Sequence, residues 1–260
     1  MRVDVSHNID EVLRKFEALP AKQIPYALSV ALNRTTNRIW SDWKNRINTV
    51  FDRPTPFTQK SPLYKNSTKK DLTATVWIRD VVGGKGNAPA EYLHPQTPQN
   101  QSGSRPHKRM ENALRYYGLM RPGEFAVPAG GAQLDQYGNI PRGEIVKIMS
   151  WLGIFGEQGY SANKNVWEVR KAARTGIKLK KQGYGYFVVR HRDPRERHLA
   201  RGIWRREGLH GVKLVPVFLF VRSVNYKPIF DPIGVGQKIV KDELPIEADR
   251  AIREALETMR

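Results

Sequence analysis

The chain has 260 residues, no cysteine, and 44 Lys and Arg against 25 Asp and Glu, for a net charge of +19 at pH 7. Such a length can bury a sizeable core, and the missing thiols exclude disulfides, thiolate metal sites and a cysteine nucleophile. The charge predicts salt-sensitive attraction to nucleic acid or another polyanion. No apolar run approaches the roughly 18 residues needed to span a bilayer, and the opening MRVDVSHNIDEV lacks the apolar region of a signal peptide. The expectation is a soluble protein, made in a cytoplasm, with no membrane partner.

In chain order, Asn8-Ile9-Asp10-Glu11 resembles a capping box, and Ile9, Val12, Leu13 and Phe16 predict a short first helix that Pro20 stops. Pro25 suits the first turn of a longer helix, in which Leu28, Leu32, Ile39, Trp43, Ile47 and Val50 trace an apolar stripe. Its other face carries Asn33, Arg34, Asn37, Arg38, Lys44, Asn45 and Arg46 and reads either as a solvated face or as one that meets a partner subunit or DNA. From Phe51 to Lys70 three prolines and many hydroxyls predict an extended arm with no regular element. Leu72, Ala74, Val76 and Ile78 then alternate with polar or amphipathic neighbours at the period of a half-buried strand.

From Val82 to about Arg142 the sequence is rich in Gly, Pro and Asn, with one helix expected over Pro106 to Tyr117. Glu144–Phe155 and Ala162–Arg174 are further helix candidates, and Phe187–Arg190 reads as a strand. Leu199–Phe230 holds the longest apolar run, Leu214–Val221, whose β-branched and aromatic content predicts a buried strand. Pro216 removes a ladder donor there, which implies a sheet edge or a bulge. Leu244, Ala248, Ile252, Ala255 and Met259 form the stripe of a closing helix that Pro245 divides or restarts. These elements predict an α+β fold: a small antiparallel or mixed sheet packed by a long N-terminal and a C-terminal helix. Residues 1–81 and 182–260 are expected to form one discontinuous core, and 82–181 a loop-rich, partly helical insertion.

Charge is uneven along the chain. Lys164–Lys213 has 15 Lys and Arg against 4 acids, whereas Asp231–Arg260 has 7 acids against 5 cations. In the basic part, cations are interleaved with aromatics: Trp167, Arg170, Lys171, Arg174, Lys178, Lys180, Lys181, Tyr184, Tyr186, Arg190, Arg192, Arg195, Arg197, Arg201, Trp204, Arg205 and Arg206. The cations suit phosphate neutralisation, and the aromatics either stack on bases or pack. No helix-turn-helix or RNA-recognition signature is present, so contact with double-stranded DNA is expected to ignore sequence. Arg201–Arg206 is the favoured contact within this strip.

His191-Arg192-Asp193 begins like a kinase catalytic loop, but His198 stands where that loop needs Asn, and no glycine loop precedes a lysine-bearing strand. Gly83–Gly86 and Gly234–Lys238 complete no phosphate-binding fingerprint and read as turns. His191, Asp193, His198 and His210 have ligand chemistry suited to a divalent metal, though their spacing fits no template. No catalytic constellation and no cofactor motif is visible.

The arrangement as a whole resembles the minor tail protein Z, or tail-completion, family of tailed bacteriophages. The resemblance lies in Ile24–Arg79 and His198–Arg260. It rests on Ala31-Leu32-Asn33-Arg34, on Gly202-Ile203-Trp204 and on the passage from the apolar strand to Tyr226-Lys227-Pro228. It implies a non-enzymatic virion part at the head-proximal end of the tail, assembled in the host cytoplasm as a ring-like homo-oligomer. Its implied neighbours are other neck or tail proteins (terminator, connector or tube) and genomic DNA. Arg34, Arg38, Pro54, Pro56, Phe57, Trp204 and Tyr226 are the candidate subunit or partner contacts. Competing readings are a metal-dependent nuclease built on His191, Asp193 and His198, and a DNA-binding protein outside the virion.

Overall fold

The computed structural model describes residues 2–4, 23–83, 86–100, 103–154, 184–190, 194–207 and 213–257. The fold is α+β, with a long helix near each end of the described chain and two small antiparallel sheets. The chain forms two compact units, unit 1 from Met1–Gly103 with Tyr226–Arg260 and unit 2 from Ser104–Asn225. The expected boundaries at 82 and 181 differ from these. Residues 86–100 stay with unit 1, and the strands after residue 182 belong to unit 2 with their own apolar cluster.

Unit 1 is built on helix α1, Ile24–Val50, which has Pro25 in its first turn as expected. Leu28, Leu32, Ile39, Trp43 and Ile47 are all buried, so the stripe read from the sequence is the core face. Opposite it lies the C-terminal helix α6, Pro232–Glu257. Its start is set by Asp231, whose Oδ1 accepts from the Gly234 N–H at 2.9 Å, with Pro232 in the first turn. Val240, Leu244, Ala248, Ala251, Ile252 and Ala255 meet the α1 stripe. Pro245 lies inside α6 without dividing it; the helix closes around the one hydrogen bond that a prolyl nitrogen cannot make.

The three-stranded sheet of unit 1 has the order β1-β3-β2, from β1 (Arg2–Asp4), β2 (Pro62–Lys65) and β3 (Thr75–Ile78). Strand β3 is the alternating segment recognised in the sequence, and Ala74, Val76 and Ile78 are buried as expected. The arm expected to lack regular structure is a correction: it holds β2 and the short helix α2, Pro56–Gln59. Thr55 caps α2 by accepting from the Thr58 N–H at 3.2 Å, and the Thr58 hydroxyl meets the Tyr92 hydroxyl at 2.9 Å. Proline at the first turn of a helix and at the start of an edge strand breaks no backbone pairing, so counting prolines misjudged the segment. Helix α3, Pro89–Leu93, and a 3-10 turn at His94–Gln96 complete the unit.

Unit 2 contains helices α4 (Arg109–Tyr116) and α5 (Arg142–Trp151) and a four-stranded sheet of order β4-β7-β6-β5. The strands are β4 (Phe125–Pro128), β5 (Tyr184–Val189), β6 (Gly202–Glu207) and β7 (Lys213–Val221). Met110, Leu114, Ile148 and Met149 from the helices pack with Tyr186, Val188, Ile203, Val217, Phe218 and Phe220. Strand β7 is interior rather than an edge. Pro216 is accommodated by the other expected device, a bulge, where Ile203 pairs with Phe218 but Trp204 pairs with Pro216. The helix candidates at 9–16 and 162–174 lie outside the described residues.

The chain passes out of unit 1 after Gly103 and returns at Tyr226, and the Tyr226 N–H donates to the Gly103 carbonyl at 2.8 Å. Gly103 has φ +58°, and a Cβ there would stand 2.6 Å from the Tyr226 carbonyl oxygen, so glycine is required on both counts. Four residues later Phe230 is buried in the core of unit 1. The stretch Leu199–Phe230 therefore serves two cores.

Candidate polyanion-binding surface

The arginines expected to form a basic lip are engaged inside unit 2. Arg201 holds Glu124 through two hydrogen bonds of 2.9 Å and gives a third, of 2.7 Å, to the Arg190 carbonyl. The side chains of this pair are 12% and 8% exposed. Burial pushes the Glu124 carboxyl up, but Arg201 and the Arg121 N–H outweigh it and hold the group below its ordinary value. Arg205 pairs with Glu207 at 2.6 Å and also meets the Tyr186 hydroxyl, which in turn donates to Glu144. The Arg206 guanidinium lies 4.4 Å from the centre of the Phe187 ring. Alternation on β6 explains the outcome: Arg205 stands opposite Tyr186, Arg206 opposite Gly185 and Trp204 opposite Phe187, so each long side chain lies across a neighbouring strand. Trp204 donates to the Ala200 carbonyl at 2.9 Å. Arg170, Lys171, Arg174, Lys178, Lys180, Lys181 and Arg192 lie outside the described residues.

A second buried carboxylate, Glu111, accepts from Arg105 at 2.6 and 3.0 Å and from the backbone N–H groups of Lys108 and Ala126 at 2.7 and 2.8 Å. Burial raises its pKa and the donors lower it, with the donors prevailing. The Glu111 carboxylate ties α4 to β4 and that of Glu124 ties the start of β4 to Arg201, so both are structural groups. Of the proposed metal ligands, His198 is exposed, while His191, Asp193 and His210 lie outside the described residues. Among the described residues no three His, Asp or Glu come together as a metal site, and no helix is long and apolar enough to cross a membrane.

Arg34 and Arg38 reach sideways to α6 at the surface, with side chains 37% and 62% exposed. Arg34 bonds Glu254 at 2.8 and 3.0 Å and lies 3.6 Å from Glu247, and Arg38 reaches Glu243 at 3.1 Å. The partners fall in number as the arginines rise, so the helices run antiparallel, and these acids on α6 face α1. Among the other expected contacts, the Pro54 carbonyl accepts from Gln59 at 3.1 Å, and Phe57, 41% exposed, lies beneath Arg79 at 5.7 Å. Pro56 is exposed at the first turn of α2, and Tyr226 is 37% exposed.

Another face of α1 carries a basic and aromatic strip. Strand β2 and the loop after it run antiparallel along the helix and are fastened by side chains. The Asn33 carbonyl oxygen accepts from the Ser67 N–H at 2.7 Å, its amide donates to the Ser67 carbonyl at 3.2 Å, and the Ser29 hydroxyl meets that of Ser67 at 3.1 Å. Further along, the Trp40 indole donates to the Pro62 carbonyl at 2.9 Å. The helix thus satisfies backbone groups of an edge strand and the loop that extends it.

This fastening lines up five lysines. Lys69 lies 4.8 Å from the Tyr26 ring centre, and Lys44 lies 4.4 Å from that of Trp40. Lys65 lies in the segment between, Lys70 follows Lys69, and Lys60 lines the same cleft as Lys44 at the far end. Tyr26 and Lys44 are eighteen residues apart on the helix, about 27 Å at 1.5 Å per residue. The acid in this strip, Asp71, is 3.6 Å from Lys65. Trp40, Lys44, Lys60, Pro62, Leu63 and Tyr64 line a cleft of about 250 Å³, with Trp40 and Tyr64 edge to face at 5.3 Å. The sequence held a signal for this surface in Trp40 and Lys44 one helical turn apart and in Tyr64-Lys65 and Lys69-Lys70. What it could not give was the pairing of helix with strand.

Comparison with family models, with curated proteins and with solved structures finds no match to the chain.

Proposed function

We propose that this protein is a non-enzymatic structural component of a tailed-phage virion, a ring-forming part at the head-proximal end of the tail that contacts genomic DNA without reading its sequence. The observation that carries the reading is the lysine and aromatic strip along α1 and β2. Lysines on flexible stems supply point charges that suit phosphates in many registers. Specificity would need base-edge contacts from a helix or ribbon in a groove, whereas this strip is a line of charges with aromatic bodies between them. The resemblance of Ala31-Leu32-Asn33-Arg34 to the tail-completion family supports the virion assignment, and the structure adds a reason for those residues. Ala31 and Leu32 are core, Asn33 fastens the Ser67 loop, and Arg34 joins α1 to α6.

Unit 1 thus takes over the role expected of Arg201–Arg206. Neighbouring neck or tail proteins and further copies of the chain are the partners this reading requires, and it requires no cofactor. Finding the protein by mass spectrometry in purified particles tests the location. A salt titration of DNA binding, with the five lysines replaced by Gln in a comparison variant, tests the surface. Retention of DNA binding and of its full salt dependence in that variant would overturn the assignment of the surface.

A further inference from the structure

We propose that the open cleft lined by Trp40 and Tyr64 is a stacking site for one unpaired nucleobase, so that the strip holds single-stranded DNA more tightly than duplex. The inference rests on the polyanion reading above and names the form of nucleic acid it favours. The cleft of about 250 Å³ lies below the roughly 300–1,000 Å³ of a site for a whole drug-sized ligand, which leaves room for a single planar ring and not for a nucleotide cofactor. Its walls are aromatic and apolar: Trp40, Tyr64, Pro62 and Leu63.

Tyr64 is 40% exposed, and the edge of one of the two aromatic rings is turned to the face of the other. Trp40 is fixed by its indole bond to Pro62 and has Lys44 near its ring, which leaves Tyr64 as the ring a base can cover. Lys44 and Lys60 flank the same cleft. A base seated on Tyr64 would therefore have cations beside it to take the phosphates on either side. This combination of an aromatic platform and a charged track recognises single strands, because every base offers a π-face once it is unstacked. A duplex keeps its bases stacked on one another and can use the lysines alone. Tyr26 beneath Lys69 is a second exposed ring on the same line, 46% exposed.

The test measures binding of the full chain to three fluorescent probes at one salt concentration: a single-stranded oligonucleotide, the same strand made abasic, and its duplex. The wild type should favour the base-bearing single strand over the abasic one by about tenfold, within the range for one stacked base. Tyr64→Ala should remove that preference and leave abasic and duplex binding unchanged, and Tyr64→Phe should restore it. Equal affinity of the wild type for base-bearing and abasic strands, or loss of all three affinities together in Tyr64→Ala, would overturn the stacking site. The polyanion reading would survive either result. In this assay it fails if the wild type binds none of the three probes.

Discussion

Replacing Arg201 with Met separates a structural role for the lip from a DNA-contacting one. The substitution leaves Glu124, 8% exposed, without the two 2.9 Å hydrogen bonds that hold its charge, and removes the bond to the Arg190 carbonyl. Breaking a buried pair from one side costs about 3–5 kcal/mol, because the remaining charge stays buried without compensation. For a unit of 122 residues, Ser104–Asn225, each kcal/mol moves the melting temperature by about 3–5 °C. The transition of unit 2 should therefore fall by about 10–25 °C. Calorimetry or near-ultraviolet circular dichroism reads this directly. Adding Glu124→Gln to Arg201→Met removes the stranded charge and should recover part of the loss, and DNA affinity of the folded single variant should stay within twofold of the wild type. An unchanged melting temperature together with a tenfold weaker DNA affinity would refute the structural reading and return Arg201 to the DNA-contacting lip.

Two further outcomes follow from the same geometry. Because the Gly103 carbonyl and the Tyr226 N–H are 2.8 Å apart, replacing residues 104–225 with a short Gly-Ser linker should leave unit 1 folded; circular dichroism with a cooperative thermal transition would show it, and a non-cooperative melt would contradict it. Glu111, held below its ordinary pKa, contributes stability that is present above the unfolded value of about 4.3 and is lost as pH falls through the lower folded value. The stability difference between the wild type and Glu111→Gln, measured by urea denaturation, should be largest near pH 7 and shrink below about pH 4. A difference independent of pH would mean the charge of Glu111 is not what stabilises unit 2.

Periodicity in the sequence foretold what local physics decides. The α1 stripe, the alternation leading to Ile78 and the apolar run of β7 are each repeats of side chains against one surface, and each element stands where its pattern puts it. The division of the chain was less legible. Composition marks where turns occur, whereas unit boundaries depend on which strands pair, and nothing local in β3 and β7 tells that they belong to different sheets. The same limit applies to the surface. Arg205 and Arg206 look outward by composition, but Tyr186 and Phe187 are near them only because β5 lies beside β6, and Glu207 stands two residues along the same strand from Arg205. Conversely Lys44, Lys60 and Lys69, scattered in sequence, become one strip because Asn33 and Trp40 bind the backbone of Ser67 and Pro62.

The most direct measurement of whether that strip is the polyanion surface is the salt dependence of double-stranded DNA binding by the full chain and by a variant with Lys44, Lys60, Lys65, Lys69 and Lys70 all replaced by Gln. Each phosphate contact contributes about 0.9 to the slope of log affinity against log salt. The account predicts a slope shallower by about 4.5 in the variant, with the thermal transitions of both units retained. An unchanged slope in a folded variant would contradict it and place the DNA elsewhere on the protein.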